Sequence, residues 1–318
     1  VTGSAADIET AYQARGITGL GNESVTIESG DGFEGAVTVA DANAVSVLTS
    51  GVVTASLTGT AATLLGLTGT GNAYTLTVTD EVVSAADLLA LDLVTTVTVD
   101  ATDASEITGS ATDILAALNA AGIDTTANID FTVDGPLTVG QANALAALTT
   151  GAVTATITDT ASNLARLTVG DVNNYTLIET DATVAASDLN AMDAVTDVTV
   201  DATAATTVTG NYADIMEAYA TVSYGEDTDI GGLGDEAIVV SEELTASEAN
   251  DIVGLTSGVV TATVVAGTAL DLQVTLNSRA TDKISLTVLE DEVATDVFNL
   301  YALDGKTSVA IDASAVTS

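Results

Sequence analysis

The chain has 318 residues and carries 45 acidic side chains against five basic ones, a formal net charge of −40. So few cations leave almost nothing to contact phosphate, which argues against binding to nucleic acid or to an anionic membrane surface. Histidine and cysteine are absent, which excludes Ser–His and Cys–His nucleophiles and zinc sites built on those residues.

The hydrophobic share of 47% comes mostly from Val, Ala, Leu and Ile, with three Phe, seven Tyr and no Trp. Small aliphatic side chains suit thin stacked layers better than one thick core. Self-repulsion at this charge would destabilise a compact state unless cations screen or bridge it, which favours a salt-rich or calcium-rich setting. The alternative is that the acidity only keeps an aliphatic-rich surface soluble.

Internal repetition is the strongest signal in the sequence. Three blocks recur in the same order: DANAVSVLTSGVVT at 41–54, QANALAALTTGAVT at 141–154 and EANDIVGLTSGVVT at 248–261; VSAADLLALDLVTTVTVDAT from 83, VAASDLNAMDAVTDVTVDAT from 184 and ALDGKTSVAIDAS at 302–314; and AADIETAY, ATDILAAL and YADIMEAY around Asp7, Asp113 and Asp214. We therefore describe residues 1–318 as a continuous array of three long repeats, approximately 5–110, 111–211 and 212–318.

A shorter rhythm of strands and short helices runs through each long repeat. Strands rich in Val, Ile and Thr are predicted at 24–28, 52–58, 74–79, 96–100, 129–133, 153–158, 175–179, 197–201, 237–240, 259–265, 284–288 and 308–312. In 153–158, Val153, Ala155 and Ile157 would lie on one face and Thr154, Thr156 and Thr158 on the other.

The segments between these strands, such as 40–50 and 84–94, place apolar residues at helical spacing. Asp or Ser stands where an N-cap is expected, and Gly51, Gly151 and Gly258 stand where such helices would end. Strands joined by helices are expected to be parallel, and strands apolar on one face only favour a repeat array over a doubly wound sheet. The pattern predicts an α/β solenoid of about twelve strand-plus-short-helix coils with a parallel sheet; the alternatives are an all-β parallel helix or several small α/β domains.

The stretch LTVGQANALAALTTGAVTATITDTASNLARLT and the closing YALDGKTSVAIDASAVT resemble giant repetitive secreted or cell-surface proteins of cyanobacteria and other marine bacteria, which are often associated with haemolysin-type calcium-binding repeats. The resemblance implies an extracellular surface layer, filament or adhesin stalk. The nonapeptide calcium repeat itself is absent, and the run from Gly231 to Glu236 is a single imperfect match. No basic-plus-apolar signal segment opens the chain, so export without a cleaved N-terminal signal is expected. The expected partners are other copies or neighbouring domains of a larger parent chain, without direct membrane insertion.

Recurrent strand-end aspartates are the candidate metal ligands. They are Asp80, Asp100, Asp134, Asp159, Asp181, Asp201 and Asp312. Neighbouring parallel strands lie about 4.8 Å apart, so such carboxylates would form a ladder. Calcium takes six to eight oxygen ligands and would turn their repulsion into cross-linking. The alternative for each aspartate is a turn or a helix cap that accepts from nearby backbone N–H groups.

Two other repeated polar positions predict structure. Asn43, Asn143 and Asn250 occupy one equivalent position and are predicted to hydrogen-bond between coils. Rows of Thr would lie on an open sheet face; a water-ordering or carbohydrate-binding surface is one hypothesis, and the strand propensity of Thr is the simpler interpretation.

These observations predict a structural protein and no enzyme. A carbohydrate-binding or cell-binding adhesin or phage-fibre segment is the alternative. Carboxylates alone would suffice for a polysaccharide hydrolase or lyase, which is the remote alternative, but the candidate carboxylates recur in every repeat whereas an active site occurs once.

Overall fold

The structure is a computed structural model that describes residues 1–29, 35–168, 173–220, 230–290 and 297–316. The fold is α/β with parallel strand pairing, as the sequence predicts. The chain divides into two compact units, Val1–Ala155 and Thr156–Ser318, which do not coincide with the three sequence repeats. We describe each unit by itself.

In the first unit each strand, or pair of short strands, is followed by a helix; we call this a strand–helix segment. Its strands are β1 (Thr2–Gly3), β2 (Val25–Ile27), β3 (Val53–Gly59), β4 (Ala73–Val78), β5 (Val82–Ser84), β6 (Val99–Asp100), β7 (Glu106–Gly109), β8 (Ile123–Asp124), β9 (Asp130–Val133) and the beginning of β10 (Val153–Asp159). Its helices are α1 (Ala5–Gln13), α2 (Val39–Ser46), α3 (Ala61–Leu64), α4 (Ala85–Asp92), α5 (Ala111–Asn119) and α6 (Val139–Ala146).

The second unit continues the same alternation. Its further strands are β11 (Asn174–Glu179), β12 (Thr183–Ala185), β13 (Val200–Asp201), β14 (Thr207–Gly210), β15 (Ile230–Gly231), β16 (Ala237–Leu244), β17 (Val260–Val264) and β18 (Lys283–Ser285). Its helices are α7 (Ala161–Leu164), α8 (Ala186–Asp193), α9 (Tyr212–Ala218), α10 (Ala246–Leu255), α11 (Ala269–Thr275) and α12 (Val297–Asp304).

Within each unit the strands form two rows, and neighbouring strands of a row are hydrogen-bonded in parallel as in a β-sheet. In the first unit the order is β1-β2-β3-β4-β6-β8 in one row and β5-β7-β9-β10 in the other. In the second unit β11, β13 and β15 form one row and β12-β14-β16-β17-β18 the other. Strands such as β4 and β5 come from one segment, because the chain bends between them and contributes to both rows.

The core lies between the strands and the helices. Strand residues alternate as predicted: in β10, Val153, Ala155 and Ile157 are buried, whereas Thr154, Thr156 and Thr158 are exposed. The helices contribute the apolar side chains that face these strands, for example Leu88 and Leu91 of α4. Burial of each such side chain stabilises the fold by about 1.5–3 kcal/mol.

The helices begin at hydroxyl or amide side chains, whereas aspartates mostly occupy the third helical position. The N-caps that accept from the backbone N–H three residues on are Ser4, Thr38, Thr60, Ser84, Ser110, Thr138, Asn211, Thr245 and Thr268. The residue at that third position is Thr63 in α3 and Asp, Glu or Gln in the other eight helices. Part of the acidity therefore lies where the positive end of a helix dipole favours it. Our prediction of Asp as an N-cap is wrong for these helices.

Gly51, Gly151 and Gly258 do not end helices, so that prediction is also wrong. Helices α2 and α6 end at Ser46 and Ala146, and none of the three glycines has a positive φ. Each lies against the backbone of the preceding segment instead. A Cβ at Gly51 would stand 2.2 Å from the carbonyl oxygen of Glu23, and one at Gly258 would stand 2.2 Å from that of Glu236. Close approach of two backbones is what requires glycine here.

Candidate functional surface

Two of the predicted calcium ligands cap a helix of the preceding segment. The Asp80 carboxylate accepts from the Ala61 N–H at 2.7 Å, and Asp181 accepts from the Ala161 N–H at 2.9 Å. Both N–H groups belong to the first residue of a short helix and have no partner within that helix. These aspartates therefore join consecutive segments. The sequence analysis missed that Glu242 does the same for the Tyr212 N–H, at 2.7 Å.

Three others stabilise turns directly after a strand. Asp100 accepts from both the backbone N–H and the hydroxyl of Thr102, and Asp201 does so from Thr203. Asp312 accepts from the Ser314 N–H at 2.9 Å. The hydroxyl bonds from Thr102 and Thr203 hold the pKa of Asp100 and Asp201 below the ordinary value, and the backbone bond from Ser314 does so for Asp312. All three therefore stay ionised at acidities where an unbonded aspartate is protonated.

The last two lie apart from these. Asp159 accepts from Asn163 and from the Thr160 N–H, and the Asn163 bond lowers the pKa of Asp159. Asp134 is exposed after β9, and its backbone N–H donates to the Gly109 carbonyl.

Strand pairing places two of the acidic residues side by side. Asp100 and Asp124 are register partners on β6 and β8. In the part of the chain that the structure describes, no three acidic side chains lie close enough together to hold one metal ion. Calcium binding stays a prediction, and a site made by this chain alone would need backbone or water oxygens for most of its ligands.

A threonine three residues after the end of a helix, or directly after it in α10, forms the junction with the preceding segment. Its hydroxyl donates to a backbone carbonyl at the start of the preceding strand, at 2.5–2.7 Å, and accepts from the N–H two residues on. The donor–acceptor pairs are Thr49 to Glu23, Thr95 to Tyr74, Thr149 to Ile129, Thr196 to Tyr175, Thr256 to Glu236 and Thr307 to Ile284. We call these six residues the junction threonines. The sequence analysis did not single them out, although the repeated Thr-x-Gly and Thr-x-Val patterns signal them.

Two of the three repeated asparagines, Asn43 and Asn250, bond between segments as predicted, and the bond of Asn143 stays a prediction. Asn43 donates to the Gly66 carbonyl at 2.8 Å and accepts from the Thr68 N–H at 2.7 Å. Asn250 repeats this arrangement with the Thr275 carbonyl and the Asn277 N–H.

The Gly-x-Gly turns place glycines where a side chain would be strained. Gly232 and Gly234 have φ near 91° and 126°, and Gly19 and Gly21 repeat these values. In the later turn the Glu236 carboxylate accepts from the backbone N–H groups of Gly234 and Asp235 and from the Tyr219 hydroxyl. Burial and this bond raise the pKa of Tyr219. The imperfect calcium-repeat match is thus a turn in which N–H and hydroxyl groups of the chain donate to the Glu236 carboxylate.

The outward faces of the strands present hydroxyl groups in register. In the first unit Ser56 pairs with Thr75 and Thr58 with Thr77, and Thr2, Thr26 and Thr54 form a row across β1, β2 and β3. In the second unit Thr263 pairs with Ser285. These side chains are exposed or half-buried, so they are accessible to a partner.

No helix among the described residues has both the length and the apolar character needed to cross a membrane. Comparison with models of known protein families, with curated proteins and with solved structures finds no match.

Proposed function

We propose that the chain is a structural module of an extracellular repeat protein, part of a surface layer, filament or adhesin stalk, and that its segments wind as an α/β solenoid. The observation that carries this proposal is the set of junction threonines. The same bond recurs at one position in segment after segment, so the repeated side chains serve the connection of segments.

The carboxylates support the same conclusion. A hydrolytic site needs two carboxylates held together at one place, with their remaining oxygens free for substrate. Here Asp80 and Asp181 repeat one helix-capping bond, and Asp100 and Asp201 repeat one turn. Acidic residues distributed in this way favour a scaffold over a catalyst.

Calcium fits this function as a bridge between molecules. Each turn aspartate uses one oxygen, Oδ1, for its turn, and its side chain is half-buried or exposed. Two copies facing one another would combine their carboxylates around one ion, with water completing the shell. Bridging would also offset the mutual repulsion of chains with a charge of −40.

Light scattering and thermal melting at fixed ionic strength test this proposal, in millimolar calcium, in magnesium and in excess chelator. We expect calcium to increase both scattering and Tm beyond magnesium, because ligands that bind only the folded state stabilise it. The triple variant Asp100→Asn, Asp201→Asn, Asp312→Asn keeps an oxygen for each turn and removes three charges, so the calcium response should fall.

The matched control removes three exposed acids that have other positions: Glu81→Gln, Asp103→Asn and Glu243→Gln. It should retain the calcium response. A chain that stays monomeric and indifferent to calcium would argue for a passive acidic spacer.

Carbohydrate binding by the open strand faces is the second candidate function. The rows of Thr and Ser hydroxyls on β3 and β4 favour it, because hydroxyls in register can exchange hydrogen bonds with a glycan. A glycan array compares the chain with the variant Thr75→Val, Thr77→Val. Binding that the variant loses would support this candidate, and an array without hits would eliminate it.

A further inference from the structure

Helix α12 exposes apolar side chains at positions that its repeat counterparts bury. The sequences VFNLYALD, AADLLALD and ASDLNAMD make α12 the counterpart of α4 and α8. Val297 is 76% exposed, whereas Ala85 and Ala186 at the same position are fully buried. Tyr301, which takes the position of Asn190, is 77% exposed. A large apolar surface on one helix face indicates a contact that the described part of this chain does not supply.

The following segment covers this face in the two earlier repeats. Helix α4 packs against α5, and α8 packs against α9. A Cβ at Gly109, just before α5, would stand 3.6 Å from the Cβ of Ala85. One at Gly210, just before α9, would stand 3.2 Å from the Cβ of Ala186. The Asn190 amide of α8 donates to a backbone carbonyl of α9 at 3.0 Å. A glycine ahead of the next helix therefore lets the two segments approach closely.

Helix α1 is the counterpart of α5 and α9 and carries the matching surface. The residues ahead of these helices read VTGS at 1–4, ITGS at 107–110 and VTGN at 208–211, so Gly3 takes the place of Gly109 and Gly210. A Cβ at Gly3 would meet only atoms of α1 itself within 4 Å, those of Asp7 and Ile8. The surface that a preceding segment covers in α5 and α9 is thus open in α1.

A second pair of matching positions lies just beyond these helices. A Cβ at Gly122, after α5, would overlap the Asp92 carboxylate at the end of α4. Its counterpart Gly16, after α1, has nothing within 4 Å of its Cβ, and Asp304 is exposed at the end of α12. Arg15 is exposed next to Gly16, so a positive charge lies where Asp304 would come. The two surfaces are complementary in charge at this point.

The strand edges match in the same way. In the earlier repeats β6 pairs with β8, and β13 pairs with β15. By sequence, Ile311 and Asp312 are the counterparts of β6 and β13, and Ile17 and Thr18 are those of β8 and β15. Asp312 already pairs with Thr287 of the preceding segment, so a following strand would lie on its other edge. Ile17 is 50% exposed, as expected of a strand residue whose neighbour comes from outside the chain.

We propose that a second copy of this chain packs its α1 and residues 15–18 onto α12 and residues 311–312, so that copies associate end to end. The second copy supplies the type of helix that follows α4 and α8 in the repeat order, and its Gly3 leaves room for Val297. The contact rests on the proposed function, because it continues the solenoid winding from one copy to the next. It joins two different surfaces, so it generates chains of copies or closed rings.

Sedimentation velocity of the full chain tests the proposal, in excess chelator and over a wide range of concentration. The ionic strength is held above about 0.15 M, where the Debye length of about 8 Å screens most of the mutual repulsion. We expect the mass to grow with concentration beyond a dimer. A wild-type chain that stays monomeric at every concentration would overturn the proposal and assign the exposed face to another partner.

Two variants each damage one end: Val297→Asp, Tyr301→Asp at α12, and Arg15→Ser, Ile17→Asp beyond α1. All four side chains are exposed, so both variants should keep the Tm of the wild type. Each should self-associate at least about tenfold more weakly, because a carboxylate buried without a partner is costly. Their equimolar mixture should form dimers and nothing larger, since it retains one intact pair of ends. Variants that still form chains, or a mixture that stays monomeric, would refute end-to-end contact.

The matched control is Val47→Asp, Leu93→Asp, which makes the same change in net charge at exposed apolar residues directly after α2 and α4. It should associate as the wild type does, and an equal weakening would assign the effect to general repulsion instead. The result is separable from the proposed function. Growth in chelator supports this contact whether or not calcium adds to it, whereas scattering that appears only with calcium and persists in both end variants supports calcium bridging and contradicts this contact.

Discussion

At two equivalent junctions, one in each unit, a buried backbone N–H donates to a side-chain oxygen, which is neutral in the first unit and belongs to a carboxylate in the second. In the first unit the side-chain oxygen of Asn72 accepts from the buried Val53 N–H at 3.0 Å. In the second unit Asp282 accepts from the Val260 N–H, also at 3.0 Å. The frame around them is the same: Thr95 and Thr307 donate to carbonyls two residues beyond Asn72 and Asp282.

The second unit needs a cation that the first does not. Asp282 is fully buried, and Arg279 contacts both of its carboxylate oxygens while donating to the carbonyls of Thr256 and Gly258. One of five basic residues in the chain is placed here. The comparison teaches that the position requires an oxygen acceptor, and that a charged acceptor requires a partner when it is buried.

The largest expected effect comes from removing the acceptors. Asp282→Ala leaves the Val260 N–H unbonded and removes the partner of Arg279, so we expect a loss of about 3–5 kcal/mol in the free energy of unfolding. Asn72→Ala leaves only a neutral N–H unbonded and should cost about 1–3 kcal/mol. Urea unfolding followed by circular dichroism measures both. Equal losses would mean that the ion pair adds nothing to the junction.

A double-mutant cycle sharpens the same comparison. Arg279→Leu alone leaves a buried carboxylate without its cation and should destabilise strongly. Asp282→Asn recreates the acceptor of the first unit, so the double variant should be more stable than Arg279→Leu alone. The loss in the double variant should be smaller than the sum of the two single losses by about 1–3 kcal/mol. Additive losses would contradict the assignment of the two residues as one unit.

The close backbone contacts at the two junctions should respond alike. Gly51→Ala and Gly258→Ala each drive a Cβ against a carbonyl oxygen, and we expect each to cost about 1–3 kcal/mol through overpacking. Gly254→Ala is the control, because nothing lies within 4 Å of its Cβ and it belongs to α10, where alanine favours the helix. That variant should be neutral or stabilising in thermal melts. A loss at Gly254 equal to that at Gly258 would refute the close-contact explanation.

The smallest effect is expected at the junction threonines. Thr95→Val and Thr307→Val keep the shape and remove the hydroxyl that satisfies a buried carbonyl, which should cost about 1 kcal/mol or somewhat more. The exposed Thr75→Val, on the open face of β4, should lie within about 0.5 kcal/mol of the wild type. Chemical unfolding of the three variants provides the test, and a loss at Thr75 as large as at Thr95 would show that the hydroxyl bond is not the cause.

The period-two alternation of apolar residues predicted the longer strands that carry the core, but it missed the shortest strands. The predicted 52–58 and 153–158 become β3 and β10 with shifts of one residue. Strands β5, β7, β12 and β14 escaped prediction, because three or four residues mixing Thr, Ser, Gly and Glu contain too little alternation to be recognised. They form because each is a second strand of its segment and pairs with the equivalent strand of the next segment, β5 with β7 and β12 with β14. The two-residue strands β1, β8 and β15 were missed as well, because two residues show no alternation.

For the aspartates too, the sequence predicted a recurring class, and the structure assigned the role of each member. Sequence patterns identified Asp80, Asp100, Asp181 and Asp201 as one recurring class and left a metal ligand, a turn and a helix cap as alternatives. The structure separates them: Asp80 and Asp181 bond to the preceding segment, whereas Asp100 and Asp201 bond two residues along their own turn. Cross-segment partners about 20 residues away leave no periodic trace in a single sequence.

The sequence by itself determined the α/β class, the parallel pairing, the bonds of Asn43 and Asn250 between segments and the absence of imidazole and thiol chemistry, because these follow from composition and from spacing along the chain. Only the tertiary structure decided the roles of Gly51 and Gly258, the junction threonines and the buried position of Asp282. Each of these depends on what the neighbouring segment places within a few ångströms, and that proximity is created by packing.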